Sequence, residues 1–197
     1  MASLGVVLLA ACTGGGRQAA APTSSTSASV TGPTLTSSSA PPVPTTVAAS
    51  TSKCLLRELR VSAGDGGAGL GHVGFPILFV NIGTSPCSLT GFPGVAAIDT
   101  HGVQLAQARR TLAGYLGGVR PGSAQPPVVE LAVGEQASAL IEGTDVPSGS
   151  DDSCSNYARF LVTPPDETES VTIEHGLPGC SELQIHPVVA GSTGSTR

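Results

Sequence analysis

The stretch GAGLGHVGFPILFVN, residues 67–81, decides between two folds. Its glycines at 69, 71 and 74 spell G-x-G-x-x-G, the phosphate loop of dinucleotide-binding βαβ units. That loop works only when a helix follows directly, because the helix N-terminus holds the pyrophosphate. Here Gly74 is followed by Phe75-Pro76-Ile77-Leu78-Phe79-Val80, a continuous apolar run that predicts a strand covered on both faces. No acidic residue follows at the required distance in a βαβ context, since Asp99 falls in a turn. The motif fails its context. The glycines are expected to form a mobile connection between two strands, and no cofactor is expected.

Outward from this run the same texture continues. Leu55, Leu59 and Val61 alternate with Leu56, Glu58 and Arg60, a period-two pattern broken at Arg57. LTGFPGVAAID at 89–99 places a Gly-Phe-Pro-Gly corner between two short apolar runs. Asp99-Thr100-His101-Gly102 carries Asp first and Gly fourth, a type I turn signature. Further strands are predicted at 128–133, 136–142, 158–163, 170–174 and 183–189, with Gly134-Glu135 as a tight connection. Only QLAQARRTLAGYL at 104–116 has helix-friendly composition, and a loop suits it equally. Short strands with frequent turns predict an all-β, immunoglobulin-like two-sheet β-sandwich over 54–190, with a flexible tail at 191–197. Phe75, Phe79, Phe92 and Phe160 are its expected largest core residues.

The N-terminus sets the compartment. Residues 3–12, SLGVVLLAAC, hold an apolar run too short to span a bilayer, which needs about 20 residues. It fits the apolar part of a signal peptide over 1–11. Leu9-Ala10-Ala11-Cys12 resembles the bacterial lipobox, which implies lipidation at Cys12 and a membrane anchor there. Met1 to Cys12 carries no Lys or Arg where a basic start is expected, so translation is expected to begin upstream of Met1. From Thr13 to Ser52 the chain is almost all Ser, Thr, Ala, Pro and Gly, with Arg17 its one charge. Such a segment buries too little apolar surface to offset its ordering entropy. As a lipid-anchored disordered linker over 12–53 it spans roughly 35 Å.

Apart from Cys12 the chain has Cys54, Cys87, Cys154 and Cys180. An even number in an exported domain predicts two disulfides. Three connectivities are open. Cys54–Cys87 with Cys154–Cys180 is expected, because nearest-neighbour pairing staples each half separately. A zinc site needs close pairs such as C-x-x-C, and none is present.

No catalytic constellation is legible. G-x-S-x-G is absent, and every domain Cys has an expected disulfide partner. The histidines at 72, 101, 175 and 186 lack the spacing of paired metal ligands on one element. Asp145, Asp151 and Asp152 lack calcium-loop spacing and read as a solvated acidic loop, as do Asp166, Glu167 and Glu169. Arg109-Arg110 reads as a solvated basic pair. Over 54–190 six Arg stand against fourteen Asp plus Glu, a net of −8 that repels phosphate backbones, so nucleic acid is not an expected partner.

The residues of the globular part resemble the DUF4232 family, a domain of unknown function found in secreted and lipidated actinobacterial envelope proteins. The matching features are Cys54, the Gly-rich segment before FPILFVNIG, and Asn81-x-Gly83-x-x-x-Cys87-x-Leu89-x-Gly91-Phe92-Pro93-Gly94-Val95. Asp99 with Gly102, LAVGEQA at 131–137, Cys154, Val162 with Pro164-Pro165, and Cys180 complete them. The resemblance implies an extracytoplasmic β-sandwich with two disulfides and carries over no catalytic residue. Two functions are expected from different classes. One is a tethered, non-catalytic module that binds an envelope protein, a glycan or a small ligand. The other is a secreted hydrolase with a dispersed active site.

Overall fold

The computed structural model describes residues 51–147, 153–180 and 182–196. The expected signal peptide 1–11, Cys12, the linker up to residue 50, Asp151 and Asp152 lie outside the described residues.

Among the described residues one 3-10 turn, Leu56–Glu58, precedes thirteen strands. They are β1 (Leu59–Ala63), β2 (Gly67–Gly69), β3 (His72–Asn81), β4 (Cys87–Thr90), β5 (Gly94–Ile98), β6 (Gln104–Gln107) and β7 (Arg109–Arg110). Then come β8 (Val128–Leu131), β9 (Gln136–Thr144), β10 (Ser155–Thr163), β11 (Val171–Gly179), β12 (Gln184–Ile185) and β13 (Val189–Ala190). A seven-stranded sheet runs β1-β3-β9-β12-β7, with β2 also on β3 and β13 also on β9. A four-stranded sheet runs β11-β10-β5-β6, and β4 pairs with β8.

The two larger sheets face each other as a sandwich. Phe75, Ile77 and Phe79 from β3 and Ala137, Ala139 and Ile141 from β9 meet Val95, Phe160, Val162 and Ile173 of the other sheet in one core. Phe75 and Phe160 touch edge to face with ring centroids 5.2 Å apart, a preferred aromatic geometry. The all-β sandwich read from the sequence is therefore the fold of the protein.

Both disulfides form as expected, Cys54–Cys87 with Cα atoms 4.8 Å apart and Cys154–Cys180 with 4.3 Å. The first ties the start of the domain to β4. The second joins the residue before β10 to the residue after β11.

Other expectations need correction. The glycine segment at 67–74 is a hairpin, with Gly67, Ala68 and Gly69 paired to Gly74, Val73 and His72. Its turn places both Leu70 (φ 48°) and Gly71 (φ 78°) in the left-handed region, the pattern a two-residue hairpin demands. Residues 104–116 hold no helix: β6 pairs with β5 and β7 with β12, so sheet pairing overrides helix propensity. Phe92 is only half-buried, since the Gly91 corner (φ 98°) leaves it at the rim. Gly134-Glu135 does make a tight turn, but β8 and β9 leave it for different sheets. The chain from 191 to 196 is docked rather than a loose tail. Gly194 N donates to buried Ser138 Oγ at 2.8 Å, Gly118 N to Gly194 O at 2.8 Å, and Thr196 N to Gly118 O at 3.0 Å.

Candidate functional site

Along β3 and β9 alternate residues face the core. The other face of β9 carries Ser138, Leu140 and Glu142. A glutamate there needs partners, because an unpaired buried charge is costly. The partners come from a strap over that face, residues 111–119, and from two histidines, His72 and His186.

Glu142 is 2 % exposed and its carboxylate has four neighbours. Tyr115 N donates to Oε1 at 2.8 Å and Leu116 N to Oε2 at 2.9 Å. His72 Nδ1 lies 2.9 Å from Oε1, and His186 Nε2 lies 3.1 Å from Oε2. Burial by itself raises the pKa of Glu142, but the bond from His186 and those from the two strap amides outweigh it and hold the value at about 2. An ionised carboxylate only accepts, so Nε2 of His186 carries the hydrogen toward it. The other ring nitrogen, Nδ1, lies 3.0 Å from Thr111 Oγ1 and 3.1 Å from Thr111 O. Thr111 Oγ1 in turn reaches Gln184 Oε1 at 3.1 Å. His186 is completely buried, whereas His72 is 34 % exposed and stacks on Tyr115 at 4.6 Å between centroids.

Hydroxyl, imidazole and carboxylate thus stand in line as Thr111, His186 and Glu142, the order used by acyl-transfer enzymes. Their surroundings fit a clamp better. Both carboxylate oxygens are taken up, and a methyl group at Gly114 would overlap Glu142 and His186, so the strap closes directly on them. What the cluster does is fasten the strap to β9. Among the described residues no group of three or more His, Cys, Asp and Glu is placed to hold a metal ion. The two imidazoles bond opposite oxygens of one carboxylate that two amides already share.

Beside the clamp runs an open groove of about 620 Å³. Its walls are Ala63, Gly64, Gly67 and Ala68 on one side, Leu116 of the strap and Ser192 and Thr193 of the docked C-terminal segment on the other, over a floor of Pro76, Leu78 and Leu140.

The structure scatters the other residues singled out by the sequence. His101 is exposed in its turn, where the Asp99 carboxylate accepts from the His101 and Val103 amides at 2.8 Å each. The Val103 bond, with those of His101 and Gly102, holds the Asp99 pKa below its usual value. His175 packs on Phe75, and burial lowers its pKa. Arg109 pairs with Glu182 at 2.6 Å, Asp166 with Lys53 at 2.8 Å, and Glu167 accepts from Leu56 N at 3.3 Å. Asp145 is exposed. Gly69, Gly71 and Gly74 shape the hairpin and hold no phosphate loop. The Glu142–His186–Thr111 cluster was missed. The signal for it was a lone Glu in SALIEGT and a lone His in LQIHPVV, each a charged or ionisable residue inside an apolar run.

Asn81 explains part of the Asn81-to-Cys87 spacing. Its buried Nδ2 donates to Ser85 O at 2.9 Å and Leu131 O at 3.0 Å, while Oδ1 accepts from Gly83 N at 2.9 Å. That fixes the loop delivering Cys87 to Cys54. The family model of a domain of unknown function, DUF4232, matches residues 54–189. The chain belongs to this family. The match takes in all four disulfide cysteines and the whole Glu142 clamp, and ends two residues before the segment that closes over Ser138. Comparison with curated proteins and with solved structures gives no match.

Proposed function

We propose that this DUF4232 domain is a non-catalytic binding module of the cell envelope, held to the outer face of the membrane by a lipid on Cys12 and the Ser/Thr/Pro/Ala-rich tether that follows it. The observation that carries the reading is the pair of disulfides, Cys54–Cys87 and Cys154–Cys180. Disulfides persist in oxidising compartments outside the cytosol. The Leu9-Ala10-Ala11-Cys12 segment and the Ser/Thr/Pro/Ala-rich stretch after it supply the anchor and the tether in this reading. The partner is an envelope protein, a glycan or a small ligand, and the acidic balance of the domain argues against nucleic acid. Cys12→Ser is expected to move the protein from the membrane fraction to the soluble one with the domain still folded. Retention in membranes after a high-salt wash contradicts the anchor.

A second reading, a secreted hydrolase, draws on the Thr111–His186–Glu142 line. Burial of His186 and the bond from Thr111 Oγ1 to Gln184 argue against it. A fluorophosphonate probe that labels Thr111 in the folded protein would establish it.

A further inference from the structure

Among the described residues the seven-stranded sheet has one edge without a partner strand at β2. β9 takes one side of β3, and β1 and β2 share the other. Among the described residues no strand pairs with the far side of β2. Native proteins guard such edges with charges, prolines or a covering element. β2 reads Gly67-Ala68-Gly69, with none of these.

Two of the glycines nearby have internal reasons. A Cβ at Gly64 would sit 2.8 Å from Pro76 Cγ, and one at Gly74 would strike the Ile141 carbonyl oxygen and Leu116. Gly67 has none: nothing lies within 4 Å of a Cβ built there, and its φ is not left-handed. Glycine inside a strand weakens it, and where the fold does not require it, it marks a place another backbone approaches closely. The open side of Gly67 is the groove of about 620 Å³, with Asp65 exposed at its rim.

We propose that β2 takes an extended polypeptide segment of a partner by strand addition, with a side chain of that segment lying in the groove. The edge sets the class of occupant, because a row of unpaired N–H and C=O groups is satisfied by extended backbone. The groove floor of Pro76, Leu78 and Leu140 takes an aliphatic side chain. Asp65 and the net charge of −8 over 54–190 favour a segment that is neutral or basic. This rests on the reading of the domain as a binding module and is independent of the anchor at Cys12.

The test is selection of a displayed library of random linear peptides, about twelve residues long, a strand with flanks. The bait is the full disulfide-bonded chain, and Gly67→Leu is the counter-bait. A Cβ at position 67 meets nothing within 4 Å and the side chain beyond it enters the open groove, so the melting temperature is expected to stay at the wild-type value. The expected result is a set of peptides with alternating apolar positions and Lys or Arg at the flanks. They lose at least about tenfold in affinity for Gly67→Leu, or when alternate peptide amides are N-methylated. Their binding slows hydrogen exchange at 64–69. Peptides that bind both baits equally, tolerate N-methylation or protect another face overturn strand addition while sparing the module. No enriched peptide at all overturns both. Concentration-dependent dimers lost in Gly67→Leu would assign the edge to a second copy and overturn the peptide partner.

Discussion

Glu142 is the residue on which the outer face of the sheet turns. Its oxygens accept from Tyr115 N and Leu116 N, and each also meets an imidazole. In Glu142→Gln one of the two oxygens becomes an NH₂ donor facing a strap N–H, whichever way the amide is turned. The expected cost is about 2–4 kcal/mol, read from urea denaturation. The same carboxylate makes the stability of the domain pH-dependent. Its pKa falls from 4.5 to about 2 on folding. A depressed carboxyl pKa contributes stability that is complete above pH 4.5 and is lost as pH falls toward 2. The contribution is about 3 kcal/mol. A denaturation series should show this acid limb in the wild type and a flatter one in Glu142→Gln. Parallel limbs would show that the carboxylate does not hold the strap.

At the scale of elements, the sandwich was legible and its roof was not. The run 75–81 and the period-two pattern near 59–61 place β3 and β1, because burial on a pleated sheet writes itself into consecutive residues. β11 extends past the expected residue 174 to Gly179 despite Gly176 and Pro178, which an edge strand tolerates. The hairpin at 67–74 was hidden because Leu70 occupies a turn position where Asn, Asp or Gly is the usual signal. The strap was hidden for another reason: Thr111, Glu142 and His186 lie far apart in sequence, and no local pattern joins them. The same holds for 191–196, whose Gly194 reaches Ser138 across 56 residues. Deleting residues 191–197 uncovers Ser138 and Leu140 and removes the bonds between Gly118 and the last residues. A loss of about 2–4 kcal/mol is expected. An unchanged urea midpoint would return this segment to the status of a tail.

At the scale of the whole molecule, two kinds of information lie in different parts of the chain. The domain carries its fold in alternating burial, turns and four cysteines, and the disulfide pairing followed from nearest neighbours in sequence. In the proposed reading the N-terminal 53 residues carry the address, in a few residues around Cys12, and a composition suited to a tether. The proposed peptide edge was not legible, because a groove walled by glycine and a sheet edge is made of backbone, which leaves little trace in side-chain identity. The proposed function requires an oxidised domain held outside the cell by a lipid on Cys12. Intact mass spectrometry tests it most directly, on protein extracted from membranes without reductant and with thiols alkylated. The expected result is a chain beginning at Cys12 that carries a diacylglyceryl group, with Cys54, Cys87, Cys154 and Cys180 unalkylated. An N-terminus without lipid, or alkyl groups on the four domain cysteines, would contradict it.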